Sequence, residues 1–242
     1  MSAVVAAGRR HLPRGWSDLG LQLAIWFGFA LMYQVVRGYV DRRPPAVAFQ
    51  HGYRVFHLET RVFNRLYELT LQNFVDQRHL LATAVSWTYW NSEFTVVGLA
   101  ILWVYLRRHD VFPRFRNSIL LANVIGLIFY AAYPTAPPRL LGLGFVNDHR
   151  DGLVNLAANP YAAMPSLHAA DALIVGVVLF SASRSLWAKA LWALWPLWVW
   201  FAVMATGNHF WLDCIAGIAV ALLAMAIVYR DRVAAAFAAG RA

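Results

Sequence analysis

Apolar residues in this chain are gathered into long runs separated by short polar stretches, the pattern of helices that cross a membrane. The first run, residues 19–36, is interrupted only by Gln22 and Gln34; Arg9, Arg10 and Arg14 precede it, and Arg37, Arg42, Arg43 and Pro44-Pro45 follow. No small-residue cleavage site follows it, so it predicts a first transmembrane helix and not a removed signal peptide. Runs at 80–106, 119–133, 165–180, 190–205 and 210–229 bring the predicted spans to six.

Between 46 and 77 the pattern changes. His51, Arg54, His57, Glu59, Arg61, Arg65 and Glu68 are interleaved with Val55, Phe56, Leu58, Val62, Phe63, Leu66, Tyr67 and Leu69, and the apolar positions recur at helical spacing. This predicts an amphipathic helix lying in the membrane interface, as a packing element or as a lid. The expected fold is all-α: a polytopic membrane protein, a six-transmembrane-helix bundle with an interfacial helix between the first two spans. It forms a single membrane domain over 1–242, with an N-terminal segment 1–18, the interfacial helix 46–77, an outer loop 134–164 and a tail 230–242.

Composition agrees with that pattern. Hydrophobic residues make up 60% of the chain and charged ones 14%, a balance that would leave a water-soluble domain of 242 residues hard to keep in solution. The net charge of +9 comes almost entirely from arginine, which could suggest nucleic acid binding, but the basic residues sit between apolar runs. That placement favours lipid headgroups, so the membrane is the expected partner and nucleic acid is not. With six spans, more basic residues fall in the short segments on the N-terminal side than in the two long loops opposite, which predicts both termini in the cytoplasm of a multi-pass cell-membrane protein. The end of the third span near Pro134, the start of the fourth near Pro165 and the junction at Gly207 then share the extracytoplasmic face. The single Cys214 makes no intrachain disulfide and reads as a small apolar helix residue.

Polar residues of chemical interest converge on that face. In Thr206-Gly207-Asn208-His209-Phe210-Trp211-Leu212-Asp213, His209 and Asp213 lie four residues apart, so on a helix a carboxylate can accept from one imidazole nitrogen and leave the other to attack. A pair at this spacing also occurs as a structural hydrogen bond, although near the head of a membrane helix it is costly to keep. In Ala163-Met164-Pro165-Ser166-Leu167-His168, Pro165 suits the first turn of a helix whose N–H groups make an anion site, Ser166 would add a hydroxyl donor, and His168 can serve as general acid or as an interfacial structural group. The prolines of Tyr133-Pro134-Thr135-Ala136-Pro137-Pro138-Arg139 end a helix and hold Arg139 at the surface, where a guanidinium suits phosphate or simply reaches for headgroups.

Together the three segments resemble the type 2 phosphatidic acid phosphatase superfamily, and within it the branch containing the fungal inositol phosphorylceramide synthases and related bacterial membrane proteins. The resemblance rests on Tyr-Pro-Thr-Ala-Pro-Pro-Arg at 133–139, Met-Pro-Ser-Leu-His at 164–168 and Thr-Gly-Asn-His-Phe-Trp-Leu-Asp at 206–213. It implies that His209 is the nucleophile that becomes a phosphohistidine, Asp213 its partner, and His168 the acid that later serves as base. Arg139 and Ser166 would hold the phosphate with backbone N–H groups, and Asn208 and Tyr133, within the matching strings, join that set; neither metal nor cofactor is implied. The pattern departs at two places: the Lys upstream of the first-motif Arg is missing, and Ala202-Val203 stand where a Ser-Arg pair precedes the nucleophile.

The implied activity is a membrane-embedded phosphotransferase acting on a lipid phosphate or phospholipid headgroup, with phosphoinositol transfer as one case and a polar or lipid hydroxyl as acceptor. If water attacks instead, the outcome is a lipid phosphate phosphatase. Two readings of other kinds compete: a metal-dependent membrane hydrolase with His168, His209 and Asp213 as ligands, and a non-enzymatic transporter or scaffold. Glu93, beside Asn91 and Ser92 in the second predicted span, would line a headgroup or acceptor pocket or pair with another helix. Asp148, His149, Arg150 and Asp151 read as a solvated loop.

Overall fold

A computed structural model of the chain describes residues 12–40, 42–146 and 160–231, the side chain of Glu93 excepted. The charged loop at 148–151 and the tail beyond 231 lie outside the described residues. Nine α-helices account for most of the described chain, and four of them are long and apolar enough to cross a membrane.

Helix α1 (Gly15–Val40) has 26 residues, about 39 Å of rise, more than a hydrocarbon core needs. The predicted interfacial helix is two helices. Pro45 opens α2 (Pro45–Phe63) without losing a needed N–H, and Asn64, at φ 61°, closes it by returning its N–H to the Thr60 carbonyl. The chain then re-enters helix as α3 (Tyr67–Asp76). The second predicted span is one unbroken helical segment, α4 (His79–Ser92) and α5 (Gly98–Arg107), joined by a π-helical turn over Glu93–Val97.

Pro113 in the first turn starts α6 (Phe112–Ala132) seven residues earlier than the apolar run does. Helix α7 (Leu167–Ala182) begins after Ser166, not at Pro165: Ser166 is the N-cap, its Oγ accepting from the Ala169 N–H at 3.3 Å, and Pro165 lies outside the helix. Helices α8 (Leu186–Ala205) and α9 (Trp211–Val228) complete the fold.

The core forms around α7, which packs on α6, α8 and α9 and buries ten of its 16 residues. Small residues allow the approach. A Cβ on Gly217 of α9 would run into the carbonyl oxygen of Ser166, and one on Gly176 of α7 would lie 2.7 Å from Pro196 of α8. Helix α1 is different: of its residues only Gln22 and Val40 are buried, while Leu21, Phe27, Leu31 and Val35 are exposed. Exposed Trp187, Leu191 and Leu194 on α8, and Leu222 and Leu223 on α9, extend the same apolar exterior, which is stable against lipid and not against water.

Polar contacts tie α1 down at the end away from the proline-rich turn. Tyr105 donates to Asp18 at 2.9 Å and Arg116 to Gln22 at 2.6 Å, and nearby Arg108 donates to the Ala182 carbonyl that ends α7. Since Gly217 seats the segment that leads into His168, Gly217→Ala is expected to push Ser166 off α9 and lower stability by about 2 kcal/mol. Thermal unfolding in detergent checks this, and a midpoint equal to wild type would mean that the two backbones are not in contact.

Candidate active site

The three chemical segments meet at one end of the bundle through backbone hydrogen bonds. The Ser166 N–H donates to the Asp213 carbonyl at 3.0 Å, Arg139 N–H to the Gly207 carbonyl at 2.9 Å, and Ala136 N–H to the Ala48 carbonyl at 3.0 Å. A short parallel bridge pairs Thr135 with Ala162, setting the strand that carries Ala163 beside the proline-rich turn. Helix α2 clasps that turn from outside: Tyr53 donates to the Leu141 carbonyl, and Gly52 leaves room for the Ala136 carbonyl that any side chain would displace.

His209 is 4% exposed, with its Nδ1 2.8 Å from the carbonyl oxygen of Ala163 and 3.6 Å from Asp213 Oδ2. A carbonyl can only accept, so Nδ1 carries the hydrogen and Nε2 presents the lone pair. The expected His209–Asp213 hydrogen bond is therefore the longer of two contacts at Nδ1, and the backbone carbonyl makes the short one. Asp213 is fully buried, and its Oδ2 also accepts from the Phe210 N–H at 2.8 Å.

The second imidazole stands close by. The ring centroids of His168 and His209 are 5.9 Å apart and the planes are tilted by 58°, near enough for one bound anion to contact both. His168 stacks on Tyr89 at 4.7 Å, and its Nε2 lies 3.1 Å from the Tyr89 carbonyl. Neither role for Tyr89 was visible along the chain, because nothing in its run of apolar neighbours marks which face meets α7.

Arg139 sits in a 3₁₀ turn, Pro138–Leu140, and donates from Nε to Asn208 Oδ1 at 2.6 Å. Asn208 is itself oriented by its amide donating to Thr206 Oγ1 at 2.9 Å, so the residue next to His209 fixes the plane of the guanidinium. Burial pulls the Arg139 pKa below its ordinary value, a cost that an anion beside it would offset.

These groups cap a cavity of about 620 Å³. Arg139, Asn208, His168 and His209 stand at its polar end, and it runs between α1 and the 79–107 segment past Trp26, Phe29 and Ile101. A smaller cleft of about 60 Å³, lined by Gln72, Asp76, Ser86 and Thr206, shares Arg139 and Asn208 with it.

Two expected phosphate contacts fall elsewhere. Ser166 is fully buried and spent on capping α7, and it does not line the cavity. Tyr133 stacks flat on His51 at 3.7 Å, while His51 Nδ1 holds the Pro134 carbonyl at 2.7 Å, so it braces the turn and likewise stays outside the cavity lining. Glu93 begins the π-helical turn, and its side chain lies outside the described residues. Ala202 and Val203, at the site of the missing Ser-Arg pair, are buried, and the Val203 carbonyl accepts from both Asn208 and His209 N–H groups. Among the described residues no three His, Cys, Asp or Glu side chains are grouped so as to hold a metal ion.

Glu59 and Glu68, expected on a wet helix face, are completely buried instead. Glu68 accepts from the Trp211 N–H at 2.8 Å and Glu59 from the Leu212 N–H at 3.0 Å, so with Asp213 they satisfy three successive N–H groups at the head of α9. Burial and the neighbouring Glu68 carboxyl push the Glu59 pKa up to about 9, so Glu59 carries a proton at neutral pH. A signal existed: Ala48, Gly52, Val55 and Glu59 form one helical stripe, and Glu59 lies in register with its small and apolar members.

An all-helical bundle with paired histidines and an arginine at the mouth of an apolar cavity is a class of membrane protein with relatives. Residues 53–227 match the model of the PAP2 superfamily, more than half of the chain, and the chain belongs to that superfamily. Over 141 residues it is 27% identical to the phosphoinositol dihydroceramide synthase of Bacteroides thetaiotaomicron, covering 49% of this chain and 46% of that one, so it spans about half the length of the curated relative it matches. The crystal structure of Aquifex aeolicus LpxE shares the fold, with a TM-score of 0.53 and 17% identity over 67% of this chain and 94% of that one.

The buried carboxyl pair yields a stability prediction. A carboxyl raised on folding from 4.5 to about 9 contributes stability that is complete below its unfolded pKa and lost as pH climbs through the folded one. Glu59→Gln keeps an oxygen for Leu212 and cannot ionise. Its unfolding midpoint is expected to hold between pH 7 and 9 where the wild type declines, by at most about 1.4 kcal/mol per pH unit for one proton. Parallel declines in thermal melts of the two proteins would show that no proton is held there.

Proposed function

We propose that the chain is a lipid phosphotransferase working through a phosphohistidine at His209, with its site on the extracytoplasmic face of the cell membrane. The observation that carries this reading is the pair of imidazoles 5.9 Å apart beside Arg139 at the polar mouth of a long apolar cavity. In the proposed arrangement the 79–107 segment and α7 complete six crossings, and α2 and α3 lie in the outer interface over the site.

A lipid phosphate enters with its chains along the cavity and its phosphorus between the rings. Nε2 of His209 attacks, the phosphorus–oxygen ester bond breaks, and His168 gives a proton to the leaving oxygen. The new phosphorus–nitrogen bond leaves positive charge on the His209 ring, and the Ala163 carbonyl and the Asp213 carboxylate both face the Nδ1 edge where it is felt. Arg139, steadied by Asn208, offsets the charge on the phosphoryl oxygens. An acceptor hydroxyl then gives its proton to His168 and attacks the phosphohistidine, restoring Nε2. The polar cleft on the far side of Arg139 suits a polyol acceptor or headgroup. Phosphoinositol transfer is favoured by the name of the Bacteroides relative: the group carried by His209 then keeps its inositol ester and a lipid hydroxyl accepts it, whereas a phosphomonoester donor with water as acceptor releases inorganic phosphate.

His209→Ala and Asp213→Asn are each expected to lower turnover by about three orders of magnitude with the fold retained, and His168→Ala to cost most with poor leaving groups. The decisive measurement is a 32P adduct, acid-labile and base-stable, mapped to His209 after brief exposure to labelled lipid phosphate. Wild-type rates in His209→Ala would exclude covalent catalysis. Lipid phosphate supplied with and without phosphatidylinositol separates transfer, seen as a new lipid, from hydrolysis, seen as free phosphate.

A further inference from the structure

Asp171 is the one carboxylate lining the large cavity among the described residues, and no step above uses it. It follows His168 by three residues on α7, so the two side chains leave the same face, with Asp171 about 4.5 Å deeper along the helix. It is 5% exposed. Asn123 of α6 places its amide nitrogen 3.0 Å from each Asp171 oxygen and 3.0 Å from the Ile119 carbonyl. The amide has two hydrogens for these three acceptors, so one goes to the Ile119 carbonyl and the other is shared between the Asp171 oxygens. Among the described residues the cavity lining also includes the apolar Val97, Ile101, Ile119 and Leu167.

We propose that Asp171, held by Asn123, determines lipid specificity by accepting a hydrogen bond from a hydroxyl or amide N–H on the lipid backbone next to the phosphoester. The proposal rests on the phosphoryl-transfer reading. With phosphorus between His168 and His209, the second backbone carbon of the lipid lies a few ångströms deeper, level with Asp171. A carboxylate only accepts. A diacylglycerol backbone offers ester oxygens at that level, which also only accept, so binding it brings acceptor against acceptor in an apolar setting. An N-acyl amino alcohol, with its amide N–H and free hydroxyl, supplies donors that a carboxylate accepts. A site built to bind a donor rejects the analogue that lacks it more strongly than an apolar pocket rejects a missing methylene.

The test compares kcat/KM of the full chain in detergent on ceramide 1-phosphate, lysophosphatidic acid and phosphatidic acid of matched chain length. Wild type is expected to prefer ceramide 1-phosphate over phosphatidic acid by about tenfold or more, and lysophosphatidic acid, which keeps a hydroxyl without an amide, tells which donor is read. Asp171→Asn, which keeps a partner for Asn123, is expected to erase most of that preference. An unchanged ratio, including equal losses on all three lipids as a mere clamp between α6 and α7 would give, overturns the proposal.

Should the variant fail to fold, thermal stabilisation of the wild type by ceramide against diacylglycerol gives the same comparison, and equal shifts overturn it. If neither the three phosphates nor phosphatidylinositol supplied with ceramide is turned over while ceramide still stabilises the wild type more and Asp171→Asn less, the phosphoryl-transfer reading fails and the lipid site stands.

Discussion

The head of α9 has to be capped by the protein's own side chains, and the rest of the site follows from how that is done. A helix beginning inside a protein leaves N–H groups without partners, each costing on the order of 1–3 kcal/mol if left so. Here Asp213 takes the N–H of Phe210, Glu68 that of Trp211 and Glu59 that of Leu212. One of these carboxyls comes from the helix itself and two from α2 and α3, so the act of capping also fastens the two short helices over the bundle. Because His209 immediately precedes the capped turn, its ring is positioned by the same contacts. Three carboxylates packed together would repel, and the proton held by Glu59 reduces that charge while the helix dipole favours what remains.

That arrangement explains which parts of the molecule could be read along the chain. Runs of apolar residues identify helices that need a nonpolar surround, and the proline-rich turn, the segment at 163–168 and the junction at 206–213 are recognisable by local composition. Their meeting at one end of the bundle follows from alternating direction of the spans, and the hydrogen bonds of Ser166 to Asp213 and Arg139 to Gly207 realise it. Ser166 and Tyr133 belong to the same strings and yet do not face the cavity, since a motif records which residues are near a site and not which atoms point into it. Ser166 is drawn into the helix cap and Tyr133 into the stack with His51.

What escaped sequence reasoning is what depends on partners distant in the chain. A glutamate on an amphipathic helix reads as a surface residue unless its place on the small-residue stripe is noticed, and even then its partner, a helix terminus some 150 residues on, is supplied only by the fold. The Ala163 and Tyr89 carbonyls that face the two imidazoles carry no signature at all, because every residue has a carbonyl. The break at Asn64 was likewise hidden: a non-glycine residue at positive φ is rare enough that composition alone argued for one helix where the chain makes two.

Rigidity and access are divided between different helices. Helices α6, α7 and α9 interlock through Gly126, Gly217 and the buried faces of α7, so the imidazoles and Arg139 are carried by the least deformable part of the bundle. The cavity that reaches them is closed on one side by α1, most of whose side chains are exposed and whose polar ties to Tyr105 and Arg116 lie at the end remote from the histidines. Displacing a wall costs the buried contacts it surrenders, and α1 has the fewest to surrender. On the proposed reading, a two-chain lipid held at its phosphate reaches the cavity laterally beside α1 without disturbing the hydrogen bonds that hold His209, which a path through the interlocked core would have to break.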